Sequence, residues 1–302
     1  MSRLFSLLLT FVILFAGAPA ASAQTATKKK KKTTQTSAVA TPRPKKKEPV
    51  EAFPVEEVGG IPKIRSASAI VVDARTGRVL HEVNADQPRP VASTQKLLTG
   101  LLIAESGNLN QDIVVEPSDT WAEPSKLYIK PGERYSRQQF LQILLVKSMN
   151  DVARALARDN AGSVEAFAAR MNAKAQELGM TNSHFVNPNG LPAPGQFSTA
   201  RDMAQVALAA YHNRTIRNIV NQKTLSFRYA DGRVTEFKNT NRVLRNYALC
   251  NGMKTGYTDA AGFCLISSGS SGGRDVVTVV LGGKRDMIWT DSYRLLAWGL
   301  TP

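Results

Sequence analysis

The sequence predicts an α+β fold: one antiparallel sheet of about five strands, drawn from both chain ends, with helices packed around it. Three observations predict it. A β-rich hairpin pattern opens the globular part, apolar-periodic segments fill the middle, and alternating strand-like runs close the chain.

The opening hairpin lies in SASAIVVDARTGRVLHEVNAD, residues 66–86, where two β-rich runs flank the turn residues Asp73 to Gly77. A helix starts at Ser93 in STQKLLTGLLIAES and ends at Gly107, a natural left-handed cap. Residues 111–136 alternate and turn, broken by Pro117, Pro124 and Pro131-Gly132. SRQQFLQILLVKSMNDVARALARDNAG reads as two helices meeting near Ser148 and ending at Gly162. VEAFAARMNAKAQELG is an amphipathic helix stopped by Gly179, and STARDMAQVALAAYH is another, opened by a Ser/Thr cap. The last third turns strand-like: TLSFRY, RVTEF, NGMKTGYT, GFCLISS and DVVTVVLGG, with turns at Asp231-Gly232 and Ser270 to Arg274. The helix TDSYRLLAWGL closes the chain. Strands from this last third and the opening hairpin are expected to share one antiparallel sheet of about five strands.

The organisation has three parts. Residues 1–23 read as a signal peptide: Arg3, an apolar run from Leu4 to Ala16, then Ala21-Ser22-Ala23 before Gln24. The run is short for a membrane span, which needs about 20 residues. Residues 24–60 read as a Lys-rich linker, and residues 61–302 as one catalytic domain. Residues 24–50 alone carry eight Lys, Arg43 and one acid, a net +8 of the chain's +15. With no aromatic residue and little to bury, that stretch reads as disordered. A solvated linker is one reading of it; attraction to polyanions of the cell envelope is the other. Behind an export signal, a nucleic-acid role is a poor fit. The protein is expected outside the cytoplasm, periplasmic or extracytoplasmic, soluble or loosely wall-associated.

Cys250 and Cys264 fall in one hairpin at a register that keeps them several rungs apart, so two separate buried thiols are expected rather than a disulfide. His81, His184 and His212 lack metal-ligand spacing, and no metal or cofactor is expected. Gly269-Ser270-Ser271-Gly272-Gly273 matches G-x-S-x-G, but between two strands rather than on a strand-to-helix elbow, and reads as chance.

Three short motifs carry chemistry in order: Ser93-Thr94-Gln95-Lys96, Ser148-Met149-Asn150 and Lys254-Thr255-Gly256. Ser93 and Lys96, three apart at a helix start, share a face. A serine hydroxyl is a weak nucleophile without a base. Lys96 can be that base only when neutral, which burial and a second cation favour; Lys254 could be that cation. Ser148 can relay a proton. The Asn150 amide can donate to and accept from a peptide. Lys254 and Thr255 on a strand suit a terminal carboxylate, and Gly256 leaves room for a substrate strand. A second S-x-N, Ser106-Gly107-Asn108, reads as a helix end. Asn187-Pro188-Asn189-Gly190 reads as a turn that lines the cleft in one of two readings.

Together these motifs resemble those of the serine penicillin-binding proteins and β-lactamases. The flanking VASTQKLLTG, LVKSMNDVARALA, HFVNPNGLPAPGQFSTARDMA and GMKTGYTDAAGFCL resemble the low-molecular-mass D-alanyl-D-alanine carboxypeptidases, over about residues 65–300. The resemblance implies an acyl-enzyme on Ser93, activation by Lys96, and a relay by Ser148 and Lys254. It implies substrate contacts from Asn150, Thr255 and Gly256, and an oxyanion hole from the backbone N–H groups of Ser93 and Tyr257. The implied function is hydrolysis of the terminal D-Ala-D-Ala bond of peptidoglycan stem peptides in cell-wall remodelling, with β-lactam antibiotics as inhibitors.

The alternatives are a D-alanyl cross-link endopeptidase, a β-lactamase and a non-catalytic wall-binding protein. The loop Asn182 to Phe197 holds no Glu or Asp to serve as deacylating base, which argues against the β-lactamase. Three features depart from the family pattern. Met149 stands where a small residue is usual. The carboxylate-binding Arg near the last helix has only Lys284 and Arg285 as candidates. The chain stops where many relatives continue into a second domain and a membrane anchor, so no C-terminal attachment is expected.

Overall fold

The computed structural model describes residues 60–301. The expectations for a signal peptide and a Lys-rich linker lie outside those residues.

The hairpin forms as read. β1 (Ser68–Asp73) and β2 (Val79–Val83) are antiparallel, and Asp73 Oδ1 caps their turn by accepting from the N–H groups of Arg75 and Thr76. A 3₁₀ turn at Ala92–Gln95 leads into α1 (Lys96–Glu105). The turning segment forms a small ladder of β3 (Asp112–Val114) with β4 (Arg134–Ser136). Ser136 then caps α2 (Arg137–Lys147) in a reciprocal box with Gln139. α3 (Asn150–Ala161) and α4 (Val164–Glu177) follow, then α5 (Ala200–His212) and α6 (Arg214–Val220). The caps of α4 to α6 are the short polar side chains of Ser163, Thr199 and Asn213.

β5 (Thr224–Arg228) and β6 (Val234–Lys238) pair only with each other. The expected sheet of about five strands forms from the other long strands, and this ribbon stands apart from it. β5 alternates buried and exposed residues and β6 half-buried and exposed ones, so the ribbon covers the helices with one face and meets water with the other. α7 (Arg242–Asn246) precedes β7 (Cys250–Thr258), β8 (Gly262–Ser271), β9 (Arg274–Gly283) and α8 (Ile288–Leu300).

The main sheet has five antiparallel strands in the order β2-β1-β9-β8-β7. Both chain ends build it, as expected, and β7 is an edge. Each face is covered. Along β1, Ile70 and Val72 join the large core with α1 to α6, while Ala69 and Val71 join a second core with α7 and α8. Burial on both faces explains why the strand reads AIVV rather than alternating with polar residues. Each such fully buried aliphatic side chain contributes about 1.5–3 kcal/mol.

Cys250 faces Gly269 and Cys264 faces Gly256 across β7 and β8, so the two thiols are buried, free and far apart. Burial pushes them up to about 12 and about 11. Among the described residues no helix is long and apolar enough to cross a membrane.

Candidate active site

The first two motifs meet at the start of α1. Ser93 lies in the 3₁₀ turn and Lys96 is the first residue of the α-helix, yet three-residue spacing still closes Lys96 Nζ to 2.7 Å from Ser93 Oγ. Lys96 is fully buried. Its Nζ also reaches Asn150 Oδ1 at 2.7 Å and Asn189 O at 2.6 Å.

Three oxygen partners would equally suit the three donors of an ammonium, so burial is what weighs toward the neutral amine. Burial pushes Lys96 well below its ordinary value, and the charge of Lys254 adds to that; Asp151 opposes it. A neutral amine has two N–H donors and one lone pair. In that form the carbonyls of Asn150 and Asn189 can take the two donors, which leaves the lone pair for the Ser93 hydroxyl proton once it turns from Asn189 O.

Asn150 is itself oriented. Its Nδ2 donates to Pro124 O at 2.6 Å, so its Oδ1 must face Lys96. Its backbone N donates to Ser125 O at 2.8 Å. The neighbouring Asp151 accepts from the N–H groups of Leu127, Tyr128 and Ile129, pinning that loop onto the first turn of α3. Burial raises the Asp151 carboxyl. Asn150 therefore faces the lysine through its amide oxygen.

Ser148 caps α2 in the left-handed region, with φ 73°, its N–H donating to Ile143 O and Leu144 O. That conformation is costly outside glycine and clusters at functional sites. Among the described residues, no hydrogen bond joins Ser148 Oγ to Ser93, Lys96 or Lys254.

Lys254 is fully buried on β7 and donates to Thr255 O at 2.8 Å. Burial lowers it to about 7. Thr255 Oγ1 donates to Thr240 Oγ1 at 2.7 Å, so Thr240 joins the site's edge. A Cβ on Gly256 would lie 2.8 Å from Ser93 N and 2.9 Å from Thr94 N. The space that glycine leaves on this side is taken by the 3₁₀ turn that carries Ser93. Tyr257 follows with a half-exposed ring tilted against Phe263, the centroids 4.3 Å apart.

The turn Asn187–Gly190 lies directly on the site. Besides the Lys96 contact, Asn189 O accepts from Ser93 Oγ at 3.2 Å, Pro188 O from Thr99 Oγ1 at 2.7 Å, and Asn187 O from Gln95 Nε2. Gly190 has φ +82° and no room for a Cβ against the Ala92 carbonyl. Turn chemistry revealed this loop, but a backbone carbonyl as a lysine ligand leaves no side-chain signal. Lys284 and Arg285 are exposed, Arg285 lying over the Phe263 ring at 5.5 Å.

An α+β fold that seats a serine hydroxyl 2.7 Å from a buried lysine whose charged form burial disfavours, beside a strand bearing a second lysine, has the parts of a serine–lysine nucleophile site. The comparisons narrow this. Residues 55–285 match the D-alanyl-D-alanine carboxypeptidase family of peptidases. The D-alanyl-D-alanine carboxypeptidase DacC of Escherichia coli is 35% identical over 262 residues, covering 82% of this chain and 64% of that protein. The chain thus spans less than two thirds of that relative's length. A D-alanyl-D-alanine endopeptidase of E. coli is 33% identical over 244 residues, covering 78% of each. The crystal structure of a D-alanyl-D-alanine carboxypeptidase from Mycobacterium tuberculosis superposes with a TM-score of 0.76 at 33% identity, covering 80% of this chain and 94% of that one. The chain belongs to the D-alanyl-D-alanine carboxypeptidase family of serine peptidases.

Proposed function

We propose that this protein is a serine D-alanyl-D-alanine carboxypeptidase acting on peptidoglycan stem peptides, with residues 61–302 as its catalytic domain. The observation that carries the reading is the Ser93–Lys96 contact of 2.7 Å at a buried lysine whose charged form burial disfavours.

Ser93 gives its proton to Lys96 and its oxygen attacks the carbonyl of the penultimate D-Ala. The N–H groups of Ser93 and Tyr257 hold the oxyanion. The close passage of β7 at Gly256 along the Ser93 backbone supports that pairing. The terminal carboxylate lies along Thr255 with Lys254 as ammonium. The C–N bond breaks, the proton passes through Ser148 to the departing amine, and D-Ala leaves. Water then hydrolyses the serine ester. β-Lactams acylate the same oxygen and deacylate slowly, because no carboxylate lies in the loop Asn182 to Phe197. Before the substrate arrives, Asn150 positions Lys96.

The leader-like residues 1–23 support an extracytoplasmic site of action, and the net +8 of residues 24–50 supports attraction to envelope polyanions. The likeness to the E. coli endopeptidase favours one second reading, cleavage of D-alanyl cross-links. The test is purified protein offered a free pentapeptide and a cross-linked dimer. D-Ala release from the pentapeptide is the expected result. Cleavage of the dimer alone would establish the endopeptidase instead.

A further inference from the structure

The Asn187–Gly190 turn meets the nucleophile's helix through its backbone. Three consecutive carbonyls each take a donor from that helix: Asn187 O from Gln95 Nε2, Pro188 O from Thr99 Oγ1 at 2.7 Å, and Asn189 O from Lys96 Nζ at 2.6 Å. Positions 95 and 99 lie four apart and 96 and 99 three apart, so the donors share one side of the helix start.

Gln95 and Thr99 are both fully buried. Their donors are aimed selectively. A helical threonine ordinarily turns its hydroxyl back to the carbonyl three or four residues earlier. Thr99 reaches across to the turn instead. Gln95 Nε2 donates to Asn187 O and, at 3.3 Å, to Gln196 Oε1, while Gln95 Oε1 has no partner among the described residues. An unpartnered buried acceptor is costly, and reversing the amide would set that oxygen against two acceptors.

Other bonds close the turn on itself. Asn187 Oδ1 accepts from Gly190 N at 2.8 Å, and Gln196 Oε1 accepts from the N–H groups of Val186 and Asn187. Those bonds fix the turn's shape. The Gln95 and Thr99 donors tie that shape to the helix that carries Lys96. The consequence falls on Asn189 O. A backbone carbonyl has no side-chain torsion with which to adjust, so it stands where its neighbours hold it. A misplacement of about 1 Å near a reacting group can cost about 10²-fold in rate.

We propose that Gln95 and Thr99 are positioning residues for the acylation of Ser93: they hold the Asn187–Gly190 turn where Asn189 O takes one donor of Lys96 and so aims the lysine at the serine. The inference rests on the peptidase reading above, and both residues act through the turn rather than on the substrate.

The test follows benzylpenicillin acylation of Ser93 in the full chain, separating the dissociation constant of the first, non-covalent complex from the acylation rate constant. Thr99→Val keeps the side chain's shape and removes its donor. Gln95→Met keeps the length and removes both N–H groups. Each is expected to slow acylation about tenfold, with the dissociation constant within about twofold of wild type. Thr99→Ser, which restores a donor on a smaller side chain, is expected to recover most of the rate lost in Thr99→Val. A role in packing alone would lower Tm and leave acylation as it was, or would penalise Thr99→Ser as much as Thr99→Val. Either result in folded protein overturns the proposal, as does a loss confined to the dissociation constant. If Gln95→Met does not fold, the two Thr99 variants decide. Wild-type protein in which benzylpenicillin never acylates Ser93 overturns the peptidase reading, and this inference with it.

Discussion

The site holds two buried lysines in different ways. Lys96 on α1 has three oxygen partners from three separate elements: its own 3₁₀ turn, the first residue of α3, and the Asn187–Gly190 turn. Lys254 on β7 has one, the carbonyl of the next residue. Each partner of Lys96 is fixed in turn by a further bond. The difference teaches how two like groups take different roles. On the proposed reading, the lysine with its partners fixed serves as the base, and the lysine with donors to spare receives the anion.

The largest expected effect breaks the first half of that comparison. Lys96→Arg keeps a long cation but one that cannot deprotonate. It should lower acylation of Ser93 at least about 10³-fold, measured as pre-steady-state adduct formation. Near wild-type acylation would show that Lys96 is not the base. Next, Asn150→Ala removes one carbonyl from Lys96 and frees the amine to wander. A loss of about 10²-fold in kcat is expected from misplacement alone, with the alkaline and acid limbs of the rate shifted, which a purely structural defect would not do. Third, Gly256→Ala pushes a methyl into the Ser93 backbone. It should cost about 1–3 kcal/mol in denaturant unfolding together with about tenfold in acylation.

The pH dependence sharpens the second half. Lys96 is neutral above its lowered pKa, so acylation falls as pH drops through it. Lys254 is charged below about 7 in the free protein, so kcat/KM should also fall above that pH as the carboxylate's partner is lost. The same shift sets a stability sign. Between about 7 and 10.5 the unfolded chain holds a proton on Lys254 that the folded one lacks. Folding is therefore favoured as pH rises through that window, and the buried ammonium carries a cost below it. The smallest effect follows: Lys254→Met should stabilise the protein at neutral pH by about 1–3 kcal/mol while lowering peptide turnover. A drop in Tm would mean the lysine is held by more than its one bond.

Much of the fold was legible because its signals are local. Asp73 to Gly77 marks the first hairpin, Gly107, Gly162 and Gly179 stop helices, and each has positive φ in the structure where it ends an element. The exclusion of β5 and β6 from the main sheet was not legible, since alternation tells which face is buried but not against what. The short helices α6 and α7 were missed although Asn213 and Asn241 cap them, because five to seven residues give no periodicity. In the site, the residue types and spacing named Ser93, Lys96 and Lys254. Asn189 could not be named, because it acts through a backbone carbonyl, and the inward turn of Asn150 depends on Pro124, distant by 26 residues.

The central claim is that Ser93 is the nucleophile of a penicillin-recognising peptidase. Intact-mass spectrometry after brief mixing with benzylpenicillin tests it most directly. The account predicts a persistent one-to-one adduct on the Ser93 peptide, absent from Ser93→Ala. An adduct that survives in Ser93→Ala, or none with the penicillin left intact, would contradict it.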